Sequence, residues 1–190
     1  MTRFPVARAS CTRTKGTLLA SLLFLTACAE SEEAKPPLRG TALGGDTEAA
    51  TFTGLEDVEI GEEYRFALPL PYNRSATDLT VTGAKVINVP EGLSVTGMSA
   101  YARSDTDNSV VGAARPGDEL EATLNRARDV IDEPIRVTAG ALADRYYVVK
   151  IKVTGQVRGD IKSCRFTYKQ ESREYHQVIG CHYILNLKKR

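Results

Sequence analysis

Residues 160–187 read DIKSCRFTYKQESREYHQVIGCHYILNL, and this C-terminal stretch decides the fold. Apolar and polar residues alternate on both sides of the polar segment 171–174, a pattern typical of a β-hairpin. A turn at this segment predicts three cross-strand pairs: Cys164 with Cys181, Phe166 with Ile179, and Tyr168 with Gln177. In this register most apolar side chains share one face, so we expect a hairpin with one buried face.

Short apolar runs with the same period of two recur upstream of the hairpin. They lie at residues 64–68, 79–87, 93–101, 110–111, 135–137 and 146–153. Gly, Pro, Asn and Asp separate the runs, and Val, Thr, Ile and Tyr fill them, which suits half-buried strands. Seven or more such runs in one chain predict an all-β fold, an antiparallel β-sandwich.

One segment departs from this period. Apolar residues recur at helical spacing at Leu120, Leu124, Ala127 and Ile131. Asp118 stands at the N-cap position with Glu121 three residues later, and Pro134 is expected to end the segment. The pattern predicts a short helix or an irregular crossover between the sheets.

The N-terminal end has the order of a secretory signal. Four basic residues between Arg3 and Lys15 precede an apolar run, Thr17–Ala27. The run has 11 residues, whereas about 20 are needed to span a bilayer. We therefore expect export and no transmembrane helix.

The end of that run, Leu25-Thr26-Ala27-Cys28, resembles the lipobox of bacterial lipoproteins. In that family the cysteine thiol receives a diacylglyceryl group, and cleavage leaves the cysteine as the new N-terminus. The resemblance implies that residues 1–27 are a signal peptide and that Cys28 is the lipid attachment residue. The alternative is that Cys28 is an ordinary cysteine and the protein is secreted without a lipid.

The segment that follows is expected to be a tether. Residues 28–50 include Glu30, Glu32 and Glu33, the pair Pro36-Pro37 and three glycines, with little apolar surface to bury. This composition predicts a disordered linker. The predicted organisation is a signal peptide at 1–27, a tether at 28–50 and one folded domain at 51–190.

A second resemblance concerns the folded part. The sequences at 70–73, 79–81 and 89–92, LPYN, LTV and VPEG, resemble the first strands of immunoglobulin-like domains in bacterial surface proteins. ADRYYVV at 143–149, followed by a terminal hairpin, is similar to their last strands. This organisation resembles that of surface lipoproteins of actinobacteria. The resemblance implies an immunoglobulin-like β-sandwich and specifies no activity.

Charge is unevenly distributed along the chain. Without the leader the net charge is −3, with −10 in residues 28–149 and +7 in residues 150–190. This asymmetry could orient the molecule at a charged surface or support self-association. We expect instead that the two regions interleave and cancel, since a compact domain mixes its sequence halves. The balance gives no indication of nucleic-acid binding.

Cys164 and Cys181 are predicted to form a structural disulfide. Export favours oxidation, and the spacing is not the Cys-x-x-Cys of redox or metal sites. Closing a loop of 17 residues is worth about 3 kcal/mol by the chain-entropy model.

Other candidate side chains have simpler interpretations. His176 and His182 are the only histidines, and six strand residues separate them by roughly 20 Å, too far to share a metal. We expect both to be surface residues.

The segment 105–108, DTDN, resembles the start of a calcium loop but lacks its glycine and glutamate, which favours a polar turn. The C-terminal segment 188–190, KKR, is either a contact to anionic headgroups or a solvated tail.

No catalytic motif is present, since Gly-x-Ser-x-Gly, Ser-x-x-Lys, His-Glu-x-x-His and phosphate-loop patterns are all missing from the sequence. We predict a non-enzymatic, membrane-anchored, extracytoplasmic lipoprotein without a cofactor, which serves as a binding or scaffolding module of the cell envelope. The expected partners are the membrane, through the lipid, and an envelope protein or glycan. The alternative is a small-ligand or metal carrier. Met98, the only methionine after the initiator, leaves few soft ligands for copper.

Overall fold

The structure, a computed structural model, describes residues 36–45 and 52–188. The predicted signal peptide, Cys28 and the remainder of the predicted tether lie outside these residues. The strands are β1 Leu38–Arg39, β2 Leu43–Gly45, β3 Phe52–Val58, β4 Glu63–Ala67, β5 Pro71–Asn73, β6 Leu79–Ile87, β7 Leu93–Ala102, β8 Ala113–Ala114, β9 Ile135–Val137, β10 Arg145–Val153, β11 Ile161–Gln170 and β12 Arg173–Leu187. The helix α1 is Glu119–Arg126, and a 3-10 turn covers Arg103–Thr106.

The described strands form two main sheets and one small pair. The first sheet has the order β12-β11-β6-β9 with antiparallel neighbours, and both β1 and β3 pair with β12 in parallel. The second sheet has the order β7-β10-β4-β8, and β2 pairs with β5. The two sheets pack face to face, which confirms the predicted all-β sandwich. The parallel pairs at β12 were not expected.

Aromatic rings from both sheets meet in the core between them. Phe66 and Tyr183 have ring centroids 5.0 Å apart, and Tyr147 and Phe166 are 6.3 Å apart. The Tyr183 hydroxyl donates to the Ala67 carbonyl at 2.7 Å, so this buried phenol joins the first sheet to the second. Alternating residues of β10, β11 and β12 supply the rest of the buried side chains.

A second apolar cluster covers the outer face of the second sheet. Its buried members are Tyr101, Val111, Ala114, Leu124, Tyr146 and Val148. The prediction of a strand at 110–111 was wrong, because Val111 lies in a loop and packs into this cluster. The Tyr146 hydroxyl accepts a hydrogen bond from the Val111 amide and donates one to Thr106 Oγ1 at 3.2 Å.

The predicted helix is present and shorter than expected. Asp118 is its N-cap, accepting from the Glu121 amide at 2.6 Å, and Glu121 Oε2 accepts in turn from the Gly117 amide. The helix ends at Arg126 rather than at Pro134 because the residues after it bind the edge of β7. Asp129 Oδ1 accepts from the Ala100 amide, and the Val130 amide donates to the Ala100 carbonyl.

The predicted tether is wrong for residues 36–45, which we call the N-terminal strap. The strap lies against the first sheet: the Gly40 amide donates to the His176 carbonyl at 2.8 Å, and the Ala42 amide donates to the Tyr168 hydroxyl at 3.1 Å. Leu43 is only 1% exposed. A Cβ atom on Gly40 would lie 2.0 Å from the Tyr168 hydroxyl oxygen, so this close approach requires glycine. The partners of Gly40 and Ala42 lie more than 120 residues away, which explains why composition alone indicated a linker.

The terminal hairpin is confirmed, but its register is shifted by two residues. The turn contains only Glu171 and Ser172, and the observed pairs are Cys164 with Ile179, Phe166 with Gln177 and Tyr168 with Tyr175. Glu171 adopts a positive φ of 54°, which permits this tight turn. A shift of two keeps every side chain on its predicted face, because the side-chain period of a strand is also two.

Candidate binding site

The structure confirms the Cys164–Cys181 disulfide. In the observed register the two cysteines are diagonal neighbours, with their Cα atoms 5.8 Å apart, within the range that a disulfide bridges. Both side chains are buried in the core. The bond therefore cross-links β11 and β12 from the inner face of the first sheet. Cys28, the predicted lipid attachment residue, lies outside the described residues.

Each histidine lies on the outer face of the first sheet and has a specific partner. His182 Nε2 is 2.9 Å from Asp160 Oδ2, and both side chains are about one-third exposed. His176 Nδ1 is 3.1 Å from the carbonyl oxygen of Pro37 in the strap. Within the described ranges, no cluster of three or more His, Cys, Asp or Glu side chains is placed to hold a metal ion.

The segment that resembles a calcium loop forms the 3-10 turn. Thr106 is buried there, and its hydroxyl donates to the Ser109 carbonyl at 2.7 Å. Asp107 and Asn108 follow with positive φ values of 54° and 57°, a conformation that Asp and Asn tolerate. At the C-terminal end Lys188 forms an ion pair with Glu59 at 3.1 Å, and residues 189–190 lie outside the description.

A polar cavity of about 460 Å³ lies where the strap, the loop after β5 and the end of the hairpin meet. Its lining residues are Arg39, Gly40, Thr41, Ala42, Arg74, Ser75, Tyr168, Gln170 and Tyr175. Hydrogen bonds across these elements shape the cavity: Arg74 Nε donates to the Thr41 carbonyl at 2.7 Å, and Gln170 Nε2 donates to Ser75 Oγ at 2.7 Å. The rings of Tyr168 and Tyr175 stack with centroids 5.4 Å apart.

The charges of this cavity favour an anionic ligand. Arg39 and Arg74 line it together, and its lining includes no acidic residue. Neither arginine has a carboxylate oxygen within 4.0 Å among the described residues. Arginine suits a carboxylate or phosphate because its planar fork donates two parallel hydrogen bonds. Sequence reasoning missed this cavity because it assigned the strap to a disordered linker.

Burial and hydrogen bonding shift the pKa of several groups near the core and its margin. Burial raises the pKa of Tyr147 to about 12, and it also raises the pKa of Tyr183 and of Tyr146. The pKa of Asp78 is lowered, first by the hydrogen bond from the Ala139 amide and then by that from Arg136. The three phenols therefore stay protonated at neutral pH and serve as hydrogen-bonding or packing groups.

In the part of the chain that the structure describes, no helix has the length and apolar character needed to cross a membrane. No family model, no curated protein and no solved structure matches the chain. Function is therefore inferred from the residues and their geometry.

Proposed function

We propose that the protein is an exported lipoprotein, anchored at the extracytoplasmic face of the cell membrane through Cys28, whose sandwich is a non-catalytic binding or scaffolding module of the envelope. The observation that carries this proposal is the order of the N-terminal residues. A basic leader, an apolar run of 11 residues and Leu25-Thr26-Ala27-Cys28 follow one another as in a lipoprotein signal. Two acyl chains on one cysteine hold a protein stably at a bilayer, whereas one chain binds only marginally.

The disulfide supports an extracytoplasmic location. Disulfides persist in oxidising compartments and are rare in the reducing cytosol. Cys164 and Cys181 are buried and bonded to each other, so they form a structural cross-link rather than a reactive thiol pair. Among the described residues the His182–Asp160 pair is the only histidine–carboxylate contact within 4.0 Å. Acid–base catalysis would need such a contact inside a cleft that holds a substrate.

The polar cavity supports a second candidate, a small-ligand carrier that is anchored in the same way. A volume of about 460 Å³ is within the range of small-molecule sites. Two arginines and a stacked tyrosine pair favour a compact acid, such as an acidic sugar of an envelope glycan. A metal carrier, the other form of this alternative, gains no support from the donor types that line the cavity.

Replacing Cys28 tests the anchor. In cells that express Cys28→Ser, the protein should lose its lipid, keep the uncleaved leader or change in apparent size, and change its distribution between membrane and soluble fractions. Cys11→Ser is the matched control, since Cys11 lies in the leader and should leave processing unchanged. Mass spectrometry of the wild-type N-terminal peptide should show a diacylglyceryl group on Cys28. A Cys28→Ser protein of unchanged size that stays with the membrane would refute the proposal.

A further inference from the structure

The outer face of the first sheet carries a group of cations that we call the basic face: Arg39, Lys85, Arg165 and Lys169. Strand register brings them together. Arg165 on β11 is directly opposite Lys85 on β6, and Arg39 on β1 is opposite His176 on β12, which is opposite Thr167 on β11. Residues opposite one another in a sheet project from the same face. Strand alternation also places Lys169 on this face, since Arg165, Thr167 and Lys169 alternate with the buried Phe166 and Tyr168.

Small residues lie among the side chains of the basic face. Gly83 is opposite Thr167, and Gly180 is opposite Ser163, so no bulky side chain stands between the cations at these positions. Val178 is opposite Arg165 and is 50% exposed. The basic face therefore has an exposed apolar side chain beside Arg165.

The cations of the basic face are not neutralised by ion pairs. Among the described residues, none of the four has a carboxylate oxygen within 4.0 Å. Acidic residues of this face lie at its margins: Glu174 is opposite Lys169, Asp78 pairs with Arg136, and Asp160 pairs with His182. The centre, at Lys85 and Arg165, is uniformly positive.

Both regions of the sequence contribute to this face, since Arg39 and Lys85 come from residues 28–149 and Arg165 and Lys169 from residues 150–190. The hairpin β11–β12 belongs to the segment 150–190 with its net charge of +7, and β6 adds Lys85 to the same side. Alternation in β11 directs Phe166 and Tyr168 into the core, so Arg165 and Lys169 are left on one outer surface.

We propose that the basic face is a docking surface for the anionic phospholipid membrane to which Cys28 anchors the protein. This orientation rests on the proposed lipid attachment, and the charge of the face is complementary to anionic headgroups. The covalent chain also permits it. Arg39 follows Cys28 by eleven residues, and an extended chain advances at most about 3.6 Å per residue, so Arg39 stays within about 40 Å of the acylated sulfur.

Vesicle binding by a chain without the lipid measures the contribution of the basic face separately from that of the lipid anchor. The chain beginning at Ala29 keeps every described residue and has a net charge of −3, so overall charge opposes its binding to anionic vesicles. In co-sedimentation assays it should bind vesicles made of equal parts phosphatidylglycerol and phosphatidylcholine and should not bind vesicles of phosphatidylcholine alone. Added salt should weaken the binding.

Two double variants with equal charge change give the matched comparison. Lys85→Gln with Lys169→Gln should weaken binding about fivefold per lysine, the equivalent of about 1 kcal/mol each. Lys150→Gln with Lys152→Gln alters the outer face of the second sheet and should leave binding unchanged. Circular dichroism checks that both variants are folded.

Three results would overturn the docking surface: no binding to anionic vesicles, equal losses in both double variants, or binding to a soluble polyphosphate but not to vesicles. None of these results bears on lipid attachment, which the fractionation of cells that express Cys28→Ser tests separately. A Cys28→Ser protein of unchanged size that stays with the membrane, combined with charge-dependent vesicle binding here, would refute lipid attachment and still support membrane binding by the basic face.

Discussion

Buried and outward-facing side chains alternate along the strands of both sheets, but the outer faces of the two sheets have different environments. One is covered by other parts of the chain and the other is exposed. In the second sheet Tyr146 and Val148 project outward, and α1 with the loop 103–112 covers them. In the first sheet the outward positions of β11 hold Ser163, Arg165, Thr167 and Lys169, which are half-buried or exposed. The outward residues of the covered face are apolar and those of the open face are polar, so each face matches its environment.

The two sheets are also stabilised differently. The second sheet packs on both faces, so its strands lie between two apolar clusters. The first sheet packs on its inner face and carries the disulfide between β11 and β12. A covalent cross-link restricts the unfolded chain and does not depend on a second packed layer. The disulfide thus stabilises the β11–β12 hairpin while the outer face of the hairpin carries charged side chains.

Truncating the cover should have the largest effect. Leu124→Ala removes the most buried residue of α1, 1% exposed, and should lower the free energy of unfolding by about 2–5 kcal/mol through lost burial and a cavity. Val178→Ala on the open face is the control and should change it by less than about 0.5 kcal/mol. Urea titrations of both variants measure the difference. Similar losses at the two sites would contradict the distinction between covered and open faces.

Removing the disulfide should have the next largest effect. Cys164→Ala with Cys181→Ala should lower the free energy of unfolding by about 3 kcal/mol, because a loop with a sequence separation of 17 is released in the unfolded state. A reducing agent should destabilise the wild type by a similar amount and leave the double variant unaffected. A wild type that is insensitive to complete reduction would show that packing alone holds the first sheet.

Alkaline pH should destabilise the core that lies between the two sheets. The pKa of Tyr147 is about 12 in the folded state, against about 10 in the unfolded state. Between these values the unfolded chain releases the proton and the folded chain keeps it, so stability falls by roughly 1.4 kcal/mol per pH unit as pH rises above 10. Urea midpoints measured across this range test it. Tyr147→Phe should flatten the profile, and an unchanged slope would assign the loss to other groups.

Removing the cap of the covering helix should have the smallest of these effects. Asp118 accepts hydrogen bonds from the Glu121 and Arg115 amides, and Asp118→Ala should cost about 1 kcal/mol. Asp105→Ala is the matched control, since Asp105 accepts only from its neighbour Ser104 and is exposed. Thermal unfolding of the two variants compares them. Equal melting temperatures would mean that packing at Leu124 alone positions α1.

Most of the sandwich could be predicted because period-two alternation is a local property of the chain. The strands at 79–87, 135–137 and 145–153, and the N-cap at Asp118, follow from residues close in sequence. The hairpin register could not be predicted in the same way. It depends on whether the turn contains all four residues of the polar segment 171–174 or only two of them, and alternation does not distinguish these cases. The strap was missed because two of its partners, Tyr168 and His176, lie more than a hundred residues away.

The sequence by itself determined the period of the strands, the pair of cysteines that bond, the helix cap and the order of residues on which the lipoprotein proposal rests. Each of these depends on neighbouring residues or on a single turn. Only the tertiary structure decided that the strap closes a cavity with Arg74 and Tyr168, and that Lys85 meets Arg165 on one open face. Both depend on which distant strands become neighbours, and burial of apolar side chains across the whole chain decides that choice.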